Sequence, residues 1–144
     1  MSTITSTNSI LTLSVFGLYP TPQRIQGFMA DSAFTTDAQD LAEIVMGVDG
    51  RMSAGYVPNP VVMTISIMPD SPSQGFFENV IGATKSLREV FSMQGTLLLP
   101  SIGRLYTLNT GILNQGKILP DVQRVLQGTP FQITWESVTS AAAV

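Results

Sequence analysis

Five carboxylates, Asp31, Asp37, Asp40, Glu43 and Asp49, fall within nineteen positions and supply half of the ten acids in the chain. Such a density suits either a Ca²⁺ site or a general acid/base pair. The spacing argues against the first, because it matches no calcium loop: no glycine sits at the turn position and no closing glutamate follows. Acid/base work on a sugar finds no aromatic platform nearby. What remains is a solvated loop, or the wall of a passage.

Other chemistry is restricted further. The chain has no cysteine and no histidine, which removes disulfides, thiol nucleophiles, Cys/His metal sites and the usual general base. Serines and threonines are present, but with neither histidine nor a Ser-x-x-Lys pair none is an activated nucleophile. The glycines are dispersed and form no phosphate loop. Trp135 is a candidate carbohydrate platform, yet it alternates with Phe131 and Ile133 and reads as a core residue. The sequence therefore predicts no enzyme, no metal and no cofactor.

Composition directs attention to the surface instead. The 144 residues suffice for one domain with a hydrophobic core. Hydrophobic residues make up 44% and charged residues only 12%, about half the usual charged share of a soluble domain. A surface so poor in charge suggests cover by partners. The net charge of −3, with Arg24, Arg51, Lys85, Arg88, Arg104, Lys117 and Arg124 scattered, opposes binding to a nucleic-acid backbone. A neutral or acidic wall past which nucleic acid slides is compatible with it. No stretch is long and apolar enough to span a bilayer, and the N-terminus lacks the basic region of a signal peptide, so synthesis in the cytoplasm is expected.

The elements that must position these residues are mostly strands. Residues 1–8 read as a flexible arm. Ile10–Phe16 alternates at strand period and is ended by Gly17 and the Pro20-Thr21-Pro22 turn; Arg24–Met29 resumes as a strand, with Gly27 as a bulge or close-approach point. Ala33–Thr36 continues it past a kink at Asp31-Ser32. Glu43–Val48 and Arg51–Tyr56 form a hairpin around a tight two-residue turn at Asp49-Gly50. Val61–Met68 has apolar groups on both faces, as in a strand buried on two sides.

A helix follows, with Ser71 as its cap, Pro72 at the first position and Gln74 completing a capping box. Phe77, Val80, Ile81, Thr84 and Leu87 give it a core-facing stripe. Residues 95–99 and 104–109 are further strands, 110–128 a long loop with one helical turn at Val122–Leu126, and Phe131–Glu136 the last strand. Residues 138–144 read as a loose tail. The fold class is mainly β, an antiparallel barrel or sandwich with one helix packed on it, and residues 1–144 form a single unit.

The order of these segments carries a resemblance. IQGFMADSAFTTDAQ, then VMGVDG, then VVMTISIMPDSPSQGFFENVI resembles tail tube proteins of contractile-tailed bacteriophages over residues 9–137. The resemblance implies the fold of the type VI secretion tube protein, with six copies joining their sheets into a ring and rings stacking into a hollow tail tube. It implies a virion protein whose partners are itself, a sheath outside, and baseplate and terminator proteins at the ends. DNA and a tape measure protein pass through the lumen without specific binding. Edge strands joined between subunits would remove the unpaired edges of a lone sheet, and head-to-tail contacts give rings and filaments.

On this reading Arg24, Gln26, Asp37, Thr96 and Asn109 are lumen-facing candidates, on strands at 23–37 and 94–109. Asp40, Glu43, Asp49, Arg51 and Arg88 are candidates for ring-to-ring contact. The alternative is a β-sandwich binding module for a carbohydrate or receptor, recognisable by an exposed aromatic platform.

Overall fold

Leu11, Leu13 and Val15 alternate with Thr12 and Ser14, and in the computed structural model they are the fully buried set of strand β1 (Ile10–Val15). The structure describes residues 9–28, 34–117, 119 and 122–142. After β1 come β2 (Tyr19–Ile25), β3 (Phe34–Thr36), β4 (Ala42–Met46), β5 (Met52–Tyr56), β6 (Val61–Ile67), helix α1 (Gln74–Leu87), β7 (Met93–Leu99), β8 (Arg104–Gly116) and β9 (Thr129–Ala142). Strands β4 and β5 form a sheet of their own, and the other seven pair in the order β2-β1-β7-β8-β9-β6-β3.

The two long strands belong to two layers. The first half of β8, Arg104–Asn109, lies between β7 and the second half of β9, Ser137–Ala142. The first half of β9, Thr129–Trp135, lies between β6 and the second half of β8. At the crossover Thr110 has φ +44°, a region that β-branched residues avoid. Inward alternation shifts by one residue there: Leu108 and Gly111 are both buried on β8, and on β9 Trp135 is buried while Val138 is half-buried against the core. The sheet thus folds over as a sandwich and does not close into a barrel.

Both layers feed one core. Leu11, Leu13, Val15, Ile25, Met93 and Leu108 come from the first layer, and Met63, Ile65, Ile67, Phe131, Ile133 and Trp135 from the second. Helix α1 closes the gap between them, as its apolar stripe predicts. Phe77 stacks on Phe131 of the second layer (centroids 4.3 Å apart, planes within 11°), while Phe76 packs on Tyr19 of the first at 4.8 Å. The Asn79 amide donates to the Tyr19 hydroxyl at 2.7 Å. Val80 is buried, Ile81 and Thr84 are half-buried, and Leu87, expected on the same stripe, is exposed.

The start of α1 differs from the capping box. Ser73 is the cap residue, without a side-chain cap bond, because the serine hydroxyls serve the neighbouring chain. Ser71 Oγ donates to the Gln26 carbonyl and accepts from the Ser73 N–H. Ser73 Oγ accepts from the Gln26 N–H at 2.8 Å. Gly27 makes this stitch possible, as the close-approach reading expects: its φ is +72°, and a Cβ there would lie 2.6 Å from Ser71 Cβ. Gly27→Ala is therefore expected to destabilise the fold by about 2–3 kcal/mol, strain and overlap combined. An unchanged urea midpoint would contradict this account of the stitch.

Other departures have local causes. Pro20 and Pro22 lie inside β2, which begins at Tyr19 and ends at Ile25; as an edge strand it tolerates the two missing donors, and its register with β1 slips between Gln23 and Tyr19. Residues 110–116 are strand and not loop, held by pairing with β9. Val122 and Leu126 form an isolated bridge in place of a helical turn. The expected tail at 138–144 is strand as far as Ala142, paired with β8. The β4–β5 turn spans Gly47–Arg51, wider than two residues: only Gly50 has positive φ, and Asp49 Oδ1 accepts from the Arg51 N–H. Strand β6 is buried on one face and half-buried on the other. The arm at 1–8 and the kink at Asp31-Ser32 lie outside the described residues.

Candidate assembly surfaces

The β4–β5 hairpin gathers its apolar residues on one face. Its facing pairs Ala42–Tyr56, Ile44–Ala54 and Met46–Met52 share a side, and Glu43–Gly55 and Val45–Ser53 share the other. All six residues of the first set are apolar or aromatic, and no other described residue covers them: Ile44 is 60% exposed, Met46 62%, Met52 64% and Tyr56 82%. A lone two-stranded hairpin is marginal in water, and apolar faces of this kind mark contact surfaces. At its root the Asn59 amide donates to the Asp40 carbonyl at 2.7 Å, and Gln39 donates to the Asn59 carbonyl at 3.0 Å. Pro58 and Pro60 stiffen the backbone on either side of Asn59.

A second surface is the outward face of the first layer. Register aligns Arg24, Thr12, Thr96, Thr107 and Thr139 in one row across five strands. Beside it, Ser14 donates to the Gln94 carbonyl, Gln94 to Thr110 Oγ1 at 3.3 Å, and Asn109 to Ser137 Oγ at 3.3 Å. This face joins hydroxyls and amides to an adjoining apolar row of Ile10, Leu98, Leu105 and Ala141, with Arg24 the one charge in the threonine row.

The structure brings together some of the sequence candidates and separates others. Arg24, Thr96 and Asn109 share this polar face. Gln26 is the residue stitched through its main chain to Ser71 and Ser73. Asp37 follows β3 in the second layer, its N–H bonded to the Val62 carbonyl, so it is not part of the Arg24 row. Asp40, Glu43, Asp49 and Arg51 belong to the hairpin and its root, whereas Arg88 ends α1 in a left-handed conformation with φ +54°. Among the described residues no group of acids converges as a metal site would require. Trp135, the candidate sugar platform, is fully buried.

Charge drew attention to Glu43 and Asp49, but the more telling signal in this segment is the alternation of Ala42, Ile44 and Met46 with its echo in Met52, Ala54 and Tyr56. A half-buried strand in a larger sheet has the same pattern, so sequence alone did not reveal that the face is bare.

The fold is a folded-over antiparallel sandwich sealed by one helix, with an apolar hairpin face that the other described residues leave exposed. Solved structures share its fold. A chain of the six-fold symmetrised anti-feeding prophage baseplate matches with TM-score 0.61 at 16% identity, covering 99% of this chain and 98% of that one. A chain of the PVC extracellular contractile injection system sheath-tube complex in its extended state matches with TM-score 0.55 at 12% identity, over 92% and 88% of the two chains. One from the anti-feeding prophage tube-terminating cap matches with TM-score 0.55 at 12% identity, over 99% and 93%. No curated protein matches the sequence. The chain belongs to the tail fiber protein gp32 family, whose model matches residues 2–139. It is thus a phage-tail-type structural protein.

Proposed function

We propose that this chain is a non-enzymatic subunit that assembles into rings, and that the rings stack as the inner tube of a contractile tail. The observation that carries the reading is the apolar face of the β4–β5 hairpin, which is large, bare and displayed on a separate ribbon. A neighbouring copy that covers it supplies what the isolated hairpin lacks. The fold shared with chains of contractile particles supports the same reading. The subunit is made in the host cytoplasm and ends in the virion. Its partners are other copies, a surrounding sheath, and baseplate and terminator proteins at the ends.

In this assembly the threonine-rich face lines the lumen. Uncharged hydroxyls and amides give a DNA backbone or a tape measure protein few charges to bind, so cargo slides past. A sugar- or receptor-binding module is disfavoured by the burial of Trp135. Negative-stain microscopy and sedimentation of the purified protein over a wide concentration range test the proposal. Rings or tubes are expected, with a cysteine at Thr107 shielded from a bulky maleimide in tubes and reactive in free subunits. A monomer at every concentration and salt condition would overturn the assembly reading. Equal labelling in tubes and free subunits would remove the lumen assignment.

A further inference from the structure

The methionines of the chain divide by exposure. Among the described ones, Met63 and Met93 are buried in the core, while Met46 and Met52 are 62% and 64% exposed. Met68 lies between these extremes at 40%. The two most exposed thioethers are also partners: register sets Met46 directly opposite Met52, as the last pair before the β4–β5 turn. Directly opposed side chains on one face of a ribbon stand about 5 Å apart at Cβ. The pair is therefore one soft, polarisable patch at the tip of the hairpin. The next pair on the same face, Ile44–Ala54, is apolar as well.

A thioether differs from the other apolar groups of this face in one respect: it can be oxidised without a cofactor or a base. A sulfur lone pair attacks one oxygen of a peroxide, and the O–O bond breaks. The departing oxygen takes the bonding pair and the proton of the transferred hydroxyl. It leaves as water, or as an alcohol from an alkyl hydroperoxide. Sulfur is oxidised by two electrons to the sulfoxide, and the peroxide is reduced by two. The product is polar and chiral where the thioether was apolar. Water solvates the sulfoxide oxygen of a free subunit, whereas an apolar neighbour offers it no donor.

We propose that Met46 and Met52 form an oxidation site on the face by which copies meet. A peroxide reaches both sulfurs in a free subunit, and the sulfoxides bar that subunit from joining. A neighbour seated on the hairpin covers the same sulfurs and protects them. Assembly and oxidation are thus mutually exclusive fates of one pair of side chains. The fold itself is spared, because Met63 and Met93 are out of reach and the hairpin is a sheet of its own. The inference rests on the self-assembly reading and adds a chemical control to it.

To test it, free subunits are treated with hydrogen peroxide, mapped by mass spectrometry, and returned to assembly conditions once the peroxide is removed. Oxidation at Met46 and Met52 is expected to raise the assembly threshold on the order of a hundredfold, about tenfold for each sulfoxide. The far-UV circular dichroism should not change. In preassembled protein the same two sites are expected to react at least about tenfold more slowly. Methionine sulfoxide reductases of both epimer types, with a thiol reductant, are expected to restore the threshold. Met46→Leu with Met52→Leu removes the sulfurs, so peroxide should leave that variant's own threshold, whatever its value, within about twofold. Met68→Leu, just beyond the far end of β6, should stay as sensitive as the unsubstituted chain. Subunits that carry both sulfoxides and still assemble at the unoxidised threshold would overturn the proposal. So would a Met46→Leu, Met52→Leu variant that peroxide still disables, because the damage would then lie at another residue. In either case self-assembly itself would stand, whereas untreated protein that never assembles would end both.

Discussion

Trp135→Ala is expected to cost about 3–5 kcal/mol, the range for emptying a fully buried aromatic site, and so to remove a large part of the roughly 5–15 kcal/mol that holds such a domain together. The indole is wholly buried in the second layer of the sandwich. Its ring lies directly over Gly111, the facing residue on β8, so that a Cβ at Gly111 would overlap the ring carbons. Gly111→Ala is accordingly expected to cost about 1–3 kcal/mol by overpacking. The two losses share one cause and should not add: once the indole is gone, an alanine at 111 occupies part of the space it vacates. The double variant should be more stable than the sum of the single losses by about 1 kcal/mol or more. Urea unfolding followed by far-UV circular dichroism, at concentrations below assembly, reads all three. Strict additivity, or a harmless Gly111→Ala, would contradict this account.

That pair also shows what was legible in the sequence. Phe131, Ile133 and Trp135 declare a core strand by their alternation, and all three are fully buried. Strand β1, the hairpin arms, β6 and the helix stripe declare themselves similarly. The second halves of β8 and β9 do not. Asn114, Gln115 and Gly116, or Ser137 to Ala142, have weak strand preference and no apolar rhythm. They are strand because each pairs with a well-specified partner, and Asn114 adds side-chain bonds to Gln132 and Thr134 across the ladder. Prolines within β2 were misleading for the converse reason: a turn signal in isolation is compatible with an edge strand once β1 fixes one side of it. Ser71 reads as the helix cap, but the cap residue is Ser73, and the bond of Ser71 to Gln26 depends on a segment 45 residues away, which no local pattern encodes.

The candidate site was legible as a segment and not as a surface. The acidic residues of 37–49 directed attention to the hairpin, and the hairpin exists. Its chemistry, however, is on the face that Glu43 does not share. Asp49 is turned to its own turn, accepting from the Arg51 backbone. The apolar face, not the carboxylates, is the feature that needs a partner. Low charge in the whole chain and apolar alternation in this ribbon are the two features on which the proposed cover by other copies rests.

Ile44→Lys combined with Met46→Lys should therefore abolish assembly while sparing the fold. Both side chains belong to the bare face and lie on a ribbon outside the main sheet. Burying each against a neighbouring copy is worth about 1.5–3 kcal/mol before ordering costs. Losing both, and placing two charges in an apolar contact, is expected to raise the assembly threshold at least on the order of a hundredfold. The monomer's melting temperature should move by no more than about 2 °C, since exposed substitutions are usually within about 0.5 kcal/mol. Glu43→Gln with Val45→Thr, on the opposite face, serves as the control and should leave the threshold within about threefold. If instead the control blocks assembly and the lysine pair does not, the carboxylate face makes the contact and the apolar face does not. The comparison thus decides between charge and burial as the force that joins one copy to the next.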